Sequence, residues 1–183
     1  PAVEQLKGHF GPLVYGVDVA SMEQVVFTKL KEKGLTLGTA ESCTGGLVAK
    51  RFTDLPGSSQ MFKGGIVAYT NEIKEKVLGV SPAVLEEKSA VSPEVALAMA
   101  EGARKLLGCD IALSTTGVAG PDRDDRGHEI GTMFVAIATP EGSYVRALNL
   151  GDRPMRQRQR THTAHHAFDL ARRYLTGLPY ENH

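Results

Sequence analysis

The chain has 183 residues, with 21 basic and 21 acidic side chains and a formal charge of zero. That balance gives no electrostatic footprint for nucleic acid or an anionic membrane, and neither partner is expected. No apolar run approaches bilayer length, and the first residues lack the basic-then-apolar order of a signal peptide. The length suits one α/β domain with room for a short appendage. Cys43 and Cys109 are too few and too far apart for a disulfide framework, so free thiols in a reducing cytoplasm are expected. The chain opens on Pro1, as would follow from removal of an initiator or from its being a piece of a longer polypeptide.

Residues 1–20 scatter Gly8, Gly11, Pro12 and Gly16 among apolar positions and read as a terminal strand or linker. A helix follows, with Ser21 as cap, Gln24 completing a capping box, Met22, Val25, Val26 and Leu30 as the apolar face, and Gly34 as the stop. Residues 35–39 suit a buried strand, and Leu47, Val48, Ala49 and Phe52 suit the inner face of the next helix. A second strand is expected over 66–69, then a helix from Glu72 to Leu78 capped by Asn71 and closed by Gly79. Ser81-Pro82 and Ser92-Pro93 repeat one helix-start signal, and the second opens a long helix carrying Val95, Met99, Ala103 and Leu106 inward. Residues 111–115 read as a short buried strand, 132–138 and 144–150 as a hairpin, and a last helix runs to about Leu175. Strands alternating with helices, plus one hairpin, predict a three-layer α/β/α sandwich with a mixed, mainly parallel sheet.

In such sheets the chemistry lies at the carboxyl ends of the strands. The stretch Ala40-Glu-Ser-Cys-Thr-Gly-Gly46 stands between a strand and a helix, where unpaired N–H groups attract an anion or a developing oxyanion. Read locally, it is equally an ordinary turn with Thr44 as N-cap. The loop after the second strand offers Tyr69, Asn71 and Lys74, and the loop after the third offers Thr116-Gly117. A serine needs a base to become a nucleophile, and a lysine is that base only when burial or nearby positive charge holds its amine neutral. Lys74 near a helix start meets the favourable end of the dipole, with Tyr69 to relay the proton. The alternative is a solvated helix lysine and a core tyrosine.

The runs Thr39-Ala-Glu-Ser-Cys-Thr-Gly-Gly46, Gly57-Ser-Ser59, Gly65-Ile-Val-Ala-Tyr-Thr-Asn71 with Lys74, Ala90-Val-Ser-Pro93, Thr116-Gly-Val-Ala-Gly-Pro121 and Gly151-Asp-Arg153 occur in one order. In this the chain resembles the CinA C-terminal family from about Ser21 to Leu175. The resemblance implies hydrolysis of the carboxamide of nicotinamide mononucleotide, giving nicotinic acid mononucleotide and ammonia with no metal or cofactor. It implies Lys74 as general base, Tyr69 as an assisting hydroxyl and a serine as nucleophile. Ser59 of the Gly-Ser-Ser turn is favoured by the resemblance, and Ser42 by its place on a strand-to-helix elbow. Glu41, Gly45, Gly46, Thr116, Gly117 and Arg153 are the expected substrate-binding residues, with Arg153 and the double glycine on the phosphate. Arg156, Gln157, Arg158 and Arg160 blur which residue of the last helix takes the family's second arginine position. The resemblance further implies a homodimer. It also implies that residues 1–20 link to a nucleotide-hydrolysing N-terminal domain, with the amidohydrolase domain over 21–176 and a tail from 177. A rival reading is a non-catalytic nucleotide- or partner-binding module tied to competence and DNA damage, from which the family takes its name.

Two further patterns are set aside. His162 and His166 have the spacing of a metal pair, but solvated helix histidines are common. Asp122, Asp124 and Asp125 open like a calcium loop, but Met133 stands where the bidentate glutamate belongs.

Overall fold

The computed structural model describes residues 2–152 and 155–181. Its elements are α1 (Ala2–Phe10), α2 (Met22–Lys33), β1 (Leu37–Glu41), α3 (Leu47–Thr53), β2 (Phe62–Val67), α4 (Asn71–Leu78), α5 (Pro82–Lys88), α6 (Pro93–Leu107), β3 (Ile111–Gly117), β4 (Thr132–Thr139), β5 (Gly142–Asn149) and α7 (Arg156–Thr176). The five strands form one mixed sheet in the order β2-β1-β3-β4-β5. β1 runs parallel to both β2 and β3, whereas β3–β4 and β4–β5 are antiparallel. Helices α2, α3 and α7 cover one face and α4, α5 and α6 the other, completing the three-layer sandwich.

Local chemistry sets most boundaries. Ser21 and Ser92 accept from the backbone N–H of Gln24 and Val95, both at 3.3 Å, and so cap α2 and α6. Gly34, Gly79 and Gly108 end α2, α4 and α6 in the left-handed conformation. Thr70, rather than the expected Asn71, caps α4: its hydroxyl accepts from Ile73 N–H at 3.3 Å, and Asn71 becomes the first helical residue.

Other expectations change as well. β2 spans Phe62–Val67 instead of 66–69, so Ala68 and Tyr69 follow the strand. Residues 2–10 form a helix instead of a strand or linker, because Val3, Leu6 and Phe10 fall at helical spacing, and Gly8 alone does not break it. The inward stripe of α6 runs from Ala103 to Leu107, four residues on, and leaves Leu106 56% exposed. β1 and β3 each extend two residues past their expected ends, which makes Glu41, Thr116 and Gly117 strand residues.

The topology opens the site. The chain leaves β1 toward α3 on one face and leaves β2 toward α4 on the other. Diverging connections of this kind leave a crevice at the strands' carboxyl ends. Ser42 follows β1 and Lys74 follows β2, so both border that crevice.

Candidate active site

Lys74 sits in the first turn of α4 and is only 1% exposed. Its Nζ lies 3.2 Å from Ser42 Oγ, 2.9 Å from the Ala68 carbonyl and 3.3 Å from the Tyr69 carbonyl. Carbonyl oxygens only accept, so a neutral amine gives its two protons to Ala68 and Tyr69 and turns its lone pair toward the Ser42 hydroxyl. Among the described residues no carboxylate pairs with this amine. Burial accordingly lowers its pKa from 10.5 to about 8.

The turn after β1 is fixed from beneath. Glu41, 1% exposed, accepts at Oε2 from Thr44 Oγ1 (2.7 Å), Gly46 N–H (3.0 Å) and Val48 N–H (2.9 Å), and at Oε1 from Ala49 N–H (2.8 Å). Thr115 joins the turn from β3. Its carbonyl accepts from Ser42 N–H at 2.9 Å, and its hydroxyl lies 2.6 Å from that of Thr44. Gly45 and Gly46, at φ 59° and 94°, adopt the left-handed backbone the turn needs. A Cβ on Gly45 would also stand 3.2 Å from the Arg160 guanidinium. Cys43 is buried, and burial pushes its thiol pKa up to about 12.

The other sequence candidates divide. The Gly45 and Gly46 amides, expected to meet a phosphate, donate instead to the Ser42 carbonyl (3.0 Å) and to Glu41. Glu41 itself faces inward and does not reach the crevice. The Thr116 hydroxyl is engaged by the Ala90 carbonyl at 2.6 Å. Gly117 is required by packing, because a Cβ there would lie 2.2 Å from Met133 Sδ and 2.6 Å from the Thr132 carbonyl. Tyr69 orients Lys74 through its carbonyl, while its ring is 57% exposed and its hydroxyl accepts from Arg156 at 2.8 Å. Ser59 lies in a short 3-10 turn just before β2, exposed, at the opposite end of that strand from Tyr69. The six residues of β2 correspond to about 20 Å of strand between them. Arg153 lies outside the described residues.

Arginines assigned no role from sequence complete the rim. Arg156 donates to the Gly120 carbonyl at 2.7 Å, and Arg160, one turn along α7, donates to the Thr44 carbonyl at 2.6 Å. Neither has a carboxylate partner among the described residues, so both leave positive charge at the crevice. The signal for them is the i, i+4 spacing of the two arginines at the start of α7. The backbone N–H groups of Cys43 and Thr44 meet no backbone oxygen among the described residues; both lie against the Cys43 thiol, and Thr44 is fully buried, so the Cys43 amide is the one nearer the crevice.

Among the described residues no three His, Cys, Asp or Glu side chains come together as a metal-ligand set. His166 is held neutral by burial, with its pKa lowered to about 4. Asp124 turns back on its own loop, accepting from His128 N–H at 2.8 Å and pairing with the His128 ring at 2.7 Å. No helix of the described residues is long and apolar enough to cross a membrane.

Comparison with known proteins agrees with this architecture. A putative competence-damage inducible protein of Caldanaerobacter subterraneus subsp. tengcongensis is 48% identical over 174 residues, covering 95% of this chain and 42% of its own length. A CinA-like protein of Desulfovibrio desulfuricans is 42% identical over 182 residues, 99% of this chain and 43% of its own length. The chain thus spans less than half the length of these relatives. The crystal structure of competence/damage inducible protein CihA from Agrobacterium tumefaciens superposes with a TM-score of 0.80 at 33% identity, covering 85% of this chain and 93% of that one. The profile of the CinA C-terminal domain matches residues 19–175, and the chain belongs to that family.

Proposed function

We propose that this chain hydrolyses the carboxamide of nicotinamide mononucleotide to nicotinic acid mononucleotide and ammonia, with Ser42 as nucleophile and Lys74 as base. The observation that carries this reading is the 3.2 Å approach of the Lys74 amine to the Ser42 hydroxyl, away from any carboxylate. A non-catalytic module has no use for a buried lysine held near neutrality.

The neutral Lys74 amine takes the Ser42 proton as Oγ attacks the carboxamide carbon. The carbonyl oxygen becomes an oxyanion, met by the N–H of Cys43, the residue after the nucleophile. The Lys74 ammonium then protonates the amide nitrogen, which leaves as ammonia, and a Ser42 ester remains. Water attacks this ester with Lys74 again as base, releasing the carboxylate and restoring the serine. Arg156 and Arg160 supply cations for the phosphate, in the role expected of Arg153 and the double glycine. The exposed Tyr69 ring offers a stacking face for the pyridine. The homodimer and the upstream domain implied by family resemblance belong to the same proposal.

The test is ammonia release from nicotinamide mononucleotide, with the acid product identified by mass. Wild type and Ser59→Ala release ammonia, and Ser42→Ala and Lys74→Ala do not. Wild-type protein that binds the nucleotide but releases no ammonia overturns the reading in favour of a binding module.

A further inference from the structure

Glu41 stands directly before the proposed nucleophile, yet neither of its oxygens faces the crevice. Three of its four donors, the N–H groups of Gly46, Val48 and Ala49, belong to the start of α3. The fourth is the Thr44 hydroxyl at 2.7 Å. A carboxylate donates nothing, so the single Thr44 proton points at Glu41, and the Thr115 hydroxyl, 2.6 Å away, donates to Thr44 in turn. The protein's own side chain therefore occupies the N-terminus of α3, and the turn from Ser42 to Gly46 is held at its far end by Glu41 and at its near end by the Thr115 carbonyl. The amides of Cys43 and Thr44 in this turn meet no backbone oxygen among the described residues, and that of Cys43 is the one nearer the crevice.

We propose that Glu41 is a positioning residue for catalysis: it touches no substrate, and it clamps the turn so that Ser42 Oγ and the Cys43 amide keep the spacing a tetrahedral oxyanion requires. This rests on the amidohydrolase reading. Preorganised donors are effective because they need no rearrangement when charge develops. Glutamine keeps the size of the side chain, but its NH2 must face an N–H donor whichever way it is turned, so Glu41→Gln loosens the clamp without opening a cavity.

The experiment compares wild type with E41Q in two assays. A fluorophosphonate probe reacts with an activated serine whatever the natural substrate is. Its rate constant reports on positioning, and its final amplitude counts folded sites. E41Q is expected to slow Ser42 labelling and kcat by about tenfold or more, with KM within about twofold and the pH midpoint of the rate unmoved. A purely structural role lowers the amplitude and leaves the rate constant alone, and that result overturns the proposal. The second assay is the amide NMR spectrum, in which E41Q should shift Cys43 and Thr44 while the strands of the sheet stay in place. If wild-type Ser42 is never labelled, the serine-lysine reading fails. The spectrum then decides the clamp by itself, and unmoved Cys43 and Thr44 signals refute it.

Discussion

Lys74 Nζ and Ser42 Oγ stand 3.2 Å apart, and the carbonyls of Ala68 and Tyr69 hold the same amine at 2.9 and 3.3 Å. The pair joins the loop after β1 to the first turn of α4. The proposed chemistry depends on this amine, whose pKa burial lowers to about 8.

That dependence is visible in rate and in stability. Activity should rise with pH as one proton leaves Lys74, with a midpoint near 8. The folded lysine has a pKa below its unfolded value, so between about 8 and 10.5 the unfolded chain binds the extra proton and folding gains stability as pH rises. The gain is on the order of 3 kcal/mol. Lys74→Met removes this titration. Wild-type stability minus that of Lys74→Met, from denaturant melts at pH 7 to 10.5, should climb across that window, and a flat difference contradicts a buried, depressed lysine.

Arg156 reaches both Tyr69 and Gly120 without a carboxylate partner among the described residues. Arg156→Gln should raise KM for the mononucleotide by about tenfold or more, as expected for a lost charge-assisted phosphate contact. Turnover of the phosphate-free nicotinamide riboside should be unaffected. Equal effects on both substrates in steady-state kinetics would remove Arg156 from the phosphate.

Gly117 has φ 154° and packs against Met133 and the Thr132 carbonyl. Gly117→Ala should destabilise the fold by about 1–3 kcal/mol through overpacking where β3 meets β4. Thermal melts read this directly, and an unchanged Tm would mean that the β3–β4 pairing is looser than described.

Much of the frame was legible in the residues. Ser21 and Ser92 signal caps, Gly34, Gly79 and Gly108 signal stops, and the β4–β5 hairpin was expected, although its link is the two residues Pro140-Glu141 and not the four from Pro140 to Ser143. The place of Lys74 in the first turn of a helix after a strand was legible, but its burial was not, because a solvated helix lysine fits the same pattern. The role of Glu41 was not: a charged residue at a strand end reads as the start of a loop, and only the return of α3 over it supplies the donors that bury it. Ser42 and Ser59 look alike in sequence, each near a glycine turn. Helix α3 separates them by carrying the chain back to the amino end of β2. The i, i+4 spacing puts Arg156 and Arg160 on one side of α7, but only tertiary packing brings Arg156 to Gly120 and Arg160 to Thr44.

The most direct test is to quench the reaction with nicotinamide mononucleotide in the steady state and locate the acyl group by peptide mass mapping. The account predicts the adduct on Ser42, absent when Lys74 is alanine and unaffected by Ser59→Ala. An adduct on Ser59, or ammonia release that persists in Ser42→Ala, would contradict it.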